Sequence, residues 1–465
     1  MSQKNETKIL ALALLLTVGI VGGGAWWFTN GFGSKIGNTI VPGSEAGNNL
    51  SLQDRISFGD KTLTPGAVSA EKKEGVQAIA AKSYDKAIAN FTDALKLNPN
   101  DPETLIFLNN ARIRSKSYTI MASVPFGTDP NASLEILRGI AQAQNQVNSS
   151  GGVKGVPLRV GIANDDDNPE IAKQIASSLV TNSEILGVVG PNTSDSTLAA
   201  GTIYNSGQLV AISPTSTSVK ISNFSRYVFR TVPSDFMAAR SLANYMVRTL
   251  QKKNAVVFFN SQSNYSQSLK SEFVSSVSLE GGQVSSEFDL SKADFSAAKS
   301  VEQATKQGAE VLMLAANTET LDKALQVVQI NQKRLTLLAG DDVYTAKTLE
   351  IGREQAVGMV LAVSWHIDGD RKSDFPQKSR RLWGADVSWR SALSYDATVA
   401  LIAALKLNPT RSGVQQALTS SDFFTTGASG TIRFLASGDR NAPVQLVKIV
   451  PGSRSGTGYD FEPVR

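Results

Sequence analysis

The chain has no cysteine and a single histidine, His366, among its 465 residues. Without cysteine there can be no disulfide, no thiolate metal site, no Cys nucleophile and no lipid-modified N-terminal Cys. One histidine leaves His-based zinc ligation and His general-base chemistry almost nothing to draw on. The patterns G-x-x-x-x-G-K-[ST], G-x-S-x-G and H-E-x-x-H are missing too. Gly22-Gly23-Gly24 lies inside an apolar run and cannot cradle phosphate. An enzyme would therefore lack a nucleophile–base pair, a metal set and a cofactor fingerprint, so no activity, cofactor or metal is expected; a hydrolase is the weakest of the readings. Charge of one sign is scarce as well. Lys and Arg number 46 against 41 Asp and Glu, a net +5 with no basic stripe or interleaved aromatics. No nucleic-acid partner is expected.

At this length two or three domains are expected, and 41% hydrophobic with 19% charged residues fits a folded body. Residues Ile9 to Phe28 carry no charge and are about long enough to span a bilayer. Lys4 and Lys8 precede the run and Trp26-Trp27-Phe28 close it, which favours an uncleaved anchor with its N-terminus in the cytoplasm. A cleaved signal peptide is the rival, and the bulky Trp pair is a poor cleavage site. The expected location is the cell membrane, single-pass, with the body on the periplasmic or extracellular side. Residues 29–70, rich in Gly, Ser and Asn, read as a flexible linker. In 71–115, Gly75, Ala87, Phe91, Ala94 and Pro99 fall close to tetratricopeptide spacing, with helices at 70–81, 84–97 and 102–114. One repeat is below the minimum for a solenoid, so the segment is either a helical spacer or a docking module.

After Tyr118 strand and helix alternate, which implies parallel sheets covered on both faces. Strands are expected at 118–124, 158–163, 185–189 and 209–212, then at 255–259, 284–288, 311–315, 335–339 and 357–363. Later strands at 430–434 and 444–450 complete two doubly wound α/β lobes with a cleft between them. The stretch Ile185–Ser218 stands out. Two short apolar runs each end in small hydroxyl residues, Pro191-Asn192-Thr193-Ser194 and Pro214-Thr215-Ser216-Thr217-Ser218, and the first feeds a helix, 194–204. Ligands bind at that edge of open α/β sheets. Hydroxyls with free helix amides suit a small anion such as a carboxylate. Ser194 as a mere N-cap is the plain alternative. Asp165-Asp166-Asp167 reads as a solvated turn rather than a hard-cation loop, whose ligands would be spaced.

The pattern VVGP-x-x-S-x-x-T-x-A, an Ile-Tyr pair and then ISPTSTS resembles the branched-chain amino-acid binding proteins of ABC importers, which are type I periplasmic solute-binding proteins. The resemblance runs from Tyr118 to about Val450. It implies a solute-binding domain over 118–465 whose chain crosses between lobes three times, with lobe one about 118–231 and 364–425 and lobe two about 232–363 and 428–451. It implies that Ser194 and Thr217, with Thr215 and Ser216, hold a ligand carboxylate. Asp341 would receive the ammonium group, although Asp342 better fits the N-cap of a helix over 343–350. Tyr265, Asn317 and Trp365 would wall the cleft. Pro130 stands where the family has an aromatic, a departure that bears on side-chain specificity. The implied function is a membrane-tethered, non-enzymatic protein that closes over an amino acid or related amide and delivers it to a permease–ATPase complex. The alternative is a receptor or regulatory subunit signalling through the helical segment, against which Met1–Glu6 is too short for a cytoplasmic output domain.

Overall fold

The structure, a computed structural model, describes residues 50–369 and 373–464. The expected anchor at 9–28 and the linker up to residue 49 lie outside them. Among the described residues no helix is long and apolar enough to cross a membrane.

Two sheets organise the molecule. The first contains β1 (Ile56–Ser57), β2 (Tyr118–Val124), β3 (Leu158–Asn164), β4 (Ile185–Val189), β5 (Ala211–Ser213) and β6 (Val228–Arg230), in the order β1-β3-β2-β4-β5-β6. All but β1 pair in parallel. The second contains β7 (Asn254–Phe259), β8 (Gln283–Asp289), β9 (Val311–Ala315), β10 (Thr336–Ala339) and β11 (Val360–Val363). A hairpin of β12 (Thr425–Gly427) and β13 (Gly430–Ile432) stands apart, and β14 (Gln445–Pro451) and β15 (Tyr459–Pro463) finish the second sheet, ordered β15-β14-β11-β10-β9-β7-β8. Central strands such as β9, VLMLA, are buried throughout because helices cover both faces. This is the two-lobed α/β architecture that the strand–helix rhythm implies.

Several boundaries differ from expectation. The strand expected at 209–212 is β5, later and shorter, and the helix feeding from Ser194 runs to Ser206. The strand expected at 430–434, assigned above to lobe two, instead pairs with β12 beside the lobe-one helix Trp389–Leu407. Asp396 of that helix accepts from the backbone N–H of Ala428 and forms a buried ion pair with Arg440 at 2.7 Å. Strand β15 was not foreseen.

The linker assignment fails for its second half, residues 50–70. Residues 56–57 add an antiparallel strand to the edge of β3, and Arg55 forms a buried ion pair with Asp166 at 2.6 Å. The three helices that follow, Ala70–Ala80, Tyr84–Leu97 and Pro102–Ala111, pack onto the same lobe. Asn110 makes the seam: its amide donates to Val160 O at 2.7 Å, and its oxygen accepts from Val160 N at 3.1 Å and Gln144 at 2.9 Å.

Helix Pro130–Ser149 crosses Trp389–Leu407 at very close range. A Cβ built on Gly139 would lie 2.1 Å from Ser391 O and 2.5 Å from Tyr395 N, both backbone atoms. Gly139→Ala gains about 1 kcal/mol of helix propensity, but overpacking against backbone costs about 1–3 kcal/mol or more. The clash wins: the variant should lower the denaturant midpoint, and an unchanged or raised midpoint contradicts this packing.

Candidate ligand-binding site

The strand ends of both sheets face each other across the lobe junction. On lobe one, Thr193 rather than Ser194 caps the helix Ser194–Ser206, accepting from Ser196 N at 3.3 Å. The two hydroxyl loops are sewn together. Ser213 Oγ donates to Pro191 O at 2.8 Å, while Thr215 Oγ1 and Ser216 Oγ donate to Asn192 O at 2.6 and 3.0 Å. Thr215 and Ser216 are therefore spent on the loop itself. Ser194 Oγ accepts from Ser218 N at 3.2 Å, which leaves its own O–H to donate. Thr217 Oγ1 is buried beside the Asp235 carboxyl, with no hydrogen bond of ordinary geometry among the described residues. Arg230, fully buried, holds this loop from behind by donating to Thr217 O and Ser218 O, both at 2.8 Å.

The triple-Asp stretch is buried rather than solvated. Asp165 accepts from Ser123 Oγ at 2.6 Å, Asp166 from Gly127 N at 2.8 Å, and Asp167 from Asn192 Nδ2 at 3.0 Å and Thr193 N at 3.3 Å. Asp166 and Asp167 sit at φ near +50°, a conformation Asp tolerates better than most residues. The stretch clamps three neighbouring loops.

On lobe two, Tyr265 OH donates to Asp341 Oδ1 at 2.8 Å and accepts from Asp342 N at 3.4 Å. Asp342 does not cap a helix. Residues 341–343 form a single 3₁₀ turn, and Thr345 caps the helix Ala346–Ala356. Asn317 is committed to its own turn, its oxygen accepting from Asn260 and Thr320 at 3.0 and 2.8 Å. Trp365 packs on Phe375, 5.7 Å between ring centres, and lines a cavity of about 170 Å³ with Thr231, Pro233 and Gln445, where the chain passes between lobes. It walls the hinge, away from Asp341 and Thr217. Pro130 opens the first turn of its helix, where its missing N–H costs nothing.

The lobes meet through specific bonds. Asp235 N donates to Thr217 O at 2.8 Å, Lys220 Nζ to Asn264 Oδ1 at 2.6 Å and Val219 N to Ser268 Oγ at 3.0 Å. Arg390 pairs with Asp342 at 3.0 Å, and Thr318 Oγ1 donates to Asp129 at 3.3 Å. Neither Asp235 nor Arg390 was recognised in the sequence. Asp235 follows Pro233-Ser234 and looks like any helix start, and Arg390 lies just ahead of an apolar helix.

Burial pushes the Asp235 carboxyl up to about 7, against the neighbouring hydroxyls of Ser268 and Thr217 and the charge of Arg230, while Asp342 adds to the rise. Its Oδ2 has no hydrogen-bond partner among the described residues. Burial and then Asp235 raise Asp341, against the Tyr265 hydrogen bond. Burial also raises Asp342, opposed by Arg390. Two buried carboxyls and the half-buried Asp342 thus share the charges of Arg390 and Arg230. A cavity of about 480 Å³ opens beyond the Arg390 and Asp129 bridges; Ser194, Thr217, Tyr265 and Asp341 are not among its walls.

Two lobes with apposed strand ends, a hinge and unpaired polar groups inside the junction suit the capture of a ligand. The family profile described as periplasmic binding protein matches residues 126–456. The chain belongs to that family. Among curated relatives, an amino acid binding protein of Pseudomonas aeruginosa is 30% identical over 145 residues, covering 30% of this chain and 38% of that protein. A leucine-specific-binding protein of Salmonella typhimurium is 31% identical over 126 residues, 27% of this chain and 34% of that one. The matched stretches thus span little more than a third of these relatives. Among solved structures, a leucine binding protein from Thermotoga maritima superimposes with a TM-score of 0.66 at 21% identity, covering 74% of this chain and 97% of its own. A Rhodopseudomonas palustris solute binding protein in complex with 4-hydroxybenzoate gives 0.64 at 16% identity, covering 75% and 96%. These two show the fold.

The raised acids set a pH dependence. Their folded pKa values lie above the ordinary value of 3.8, so between about pH 4 and 7 the folded state binds more protons than the unfolded one. Stability of the ligand-free protein should therefore rise as pH falls across that window. Asp289, held down to about 2 against burial by Ser291 and Ser261, acts in the opposite sense only below it, whereas His366, whose pKa burial lowers, opposes the rise within the window as one group against the three raised acids. Thermal melts should be higher near about pH 5.5 than about pH 7.5, with a smaller difference in Asp235→Asn. A melting temperature that climbs with pH contradicts the burial of these acids.

Proposed function

We propose that the chain captures an amino acid, of the branched-chain or neutral type, by closing its lobes over it. The observation that carries this is Asp341: a buried carboxylate with a Tyr hydroxyl for company and no cation in ion-pair contact among the described residues, since Arg390 is taken by Asp342. A ligand ammonium group supplies the missing charge. Across the junction, Thr217 Oγ1 and the Ser194 O–H are the donors left for a carboxylate. One zwitterion spans both, so it favours the closed lobes over the open ones. The leucine-binding names of the relatives support this ligand class. The Rhodopseudomonas palustris neighbour, described as a solute binding protein of an ABC transporter, supports delivery to a permease–ATPase complex, with residues 9–28 tethering the domain to the outer face of the membrane and the helical segment acting as spacer or docking module.

Calorimetry against leucine and its des-amino analogue 4-methylpentanoate tests the reading. Asp341→Asn should weaken leucine by at least about 2 kcal/mol, the cost of losing one partner of a desolvated charge pair. Thr217→Val should cost roughly tenfold, about one hydrogen bond to a charged group. Equal affinity for the two ligands, or an unimpaired Asp341→Asn, defeats the amino-acid assignment.

A further inference from the structure

The 480 Å³ cavity between the lobes does not share its walls with the Thr217–Asp341 junction. Its volume falls within the ordinary range for a complete small-molecule pocket. Much of the lining is apolar and buried: Leu321, Leu349, Ile367 and Val387, with Tyr344 and Phe461 stacked at 4.1 Å between ring centres.

The charges on its rim are mostly matched. Glu135 accepts from Arg138 at 2.6 Å and from Ser388 N at 2.8 Å. Arg454 pairs with Asp386 at 2.9 Å, and Asp460 accepts from the backbone N–H of Arg454 and Ser455 at 3.0 and 2.7 Å. Asp129 caps its helix through Ala132 N at 2.9 Å and takes the Thr318 hydroxyl. Lys347 pairs with Asp322 at 2.7 Å.

Arg390 is the exception. It is only 6% exposed, its Nη2 reaches Asp342, and its Nε is buried with no partner among the described residues. Its guanidinium lies 4.4 Å over the Trp389 ring, which fixes its plane. A buried guanidinium N–H left unmade costs free energy, and a carboxylate is the acceptor that fits its fork.

We propose that this cavity is a second binding site, taking a small organic carboxylate with an apolar body through Arg390. The body lies against the aliphatic wall and the Tyr344–Phe461 stack, and the carboxylate accepts from the Arg390 Nε–H, which Asp342 leaves unpaired. The site lies on the far side of the Asp342–Arg390 pair from Asp341, so it does not depend on the amino-acid assignment.

Calorimetric titration of the full-length chain with benzoate, and with benzamide as the uncharged isostere, tests it. Saturable benzoate binding is expected, with benzamide at least about tenfold weaker. Arg390→Gln should weaken benzoate by about tenfold or more, and Leu349→Trp, which fills the cavity and leaves Arg390 in place, should do the same. Leucine affinity in Leu349→Trp should stay within roughly threefold of wild type, and leucine should not displace benzoate. Absence of saturable benzoate binding, equal binding of benzamide, undiminished benzoate binding in Leu349→Trp, or one-for-one displacement by leucine would each overturn the proposal.

Discussion

Burying an ionised carboxylate is expensive unless a positive group comes with it, and the lobe junction gathers three, the buried Asp235 and Asp341 and the half-buried Asp342, near two guanidinium groups already engaged, Arg390 with Asp342 and Arg230 with Asp439. Such a set has two ways to become tolerable: proton uptake or a cation brought from outside. The surroundings are built to keep the question open. Tyr265 reaches Asp341 only because residue 340 is glycine, where a Cβ would stand 2.4 Å from the Tyr hydroxyl. Arg230 fixes the backbone carrying Thr217 and lends part of its charge to Asp235, its own ion pair being with Asp439. Among the described residues the junction therefore holds an Asp341 carboxylate without a cation in ion-pair contact on lobe two and a Ser194 O–H free to donate on lobe one, which suits a ligand of opposite polarity at its two ends.

The N-terminal segment bears on the same place. Arg55 ties the edge strand to Asp166, and its neighbour Asp167 holds Asn192 and Thr193, the residues that lead into Ser194. Covering the β3 edge removes an exposed pairing edge from the sheet. It also makes the stretch from residue 50 onward a structural part of lobe one, with the triple-Asp turn as the shared fastening.

Much of this was legible in the sequence. Period and run length reveal the two α/β lobes because buried parallel strands are short and uniformly apolar, and the helices of the N-terminal segment fall within a few residues of expectation because Asp101-Pro102 and Ser69 are strong start signals. The hydroxyl loops and Asp341 were visible as types at strand ends. What type alone could not reveal is how each hydroxyl is spent. Thr215 and Ser216 look equivalent to Thr217 in one dimension, yet two of the three serve Asn192 O. Asp235 and Arg390 were hidden for a related reason: each is tied to the opposite lobe, Asp235 through its N–H to Thr217 O and Arg390 to Asp342, and no local spacing records such pairings.

The central claim is that the bound ligand replaces protons on these acids with its own positive charge. Proton exchange on binding measures that directly, by titrating leucine calorimetrically near neutral pH in buffers of different ionisation enthalpy. If the ammonium group settles beside Asp341 and Asp235, binding must release a fraction of a proton to the buffer, and more as the pH is lowered toward their pKa values. Leucine binding with no proton release, or with net uptake, would contradict the account.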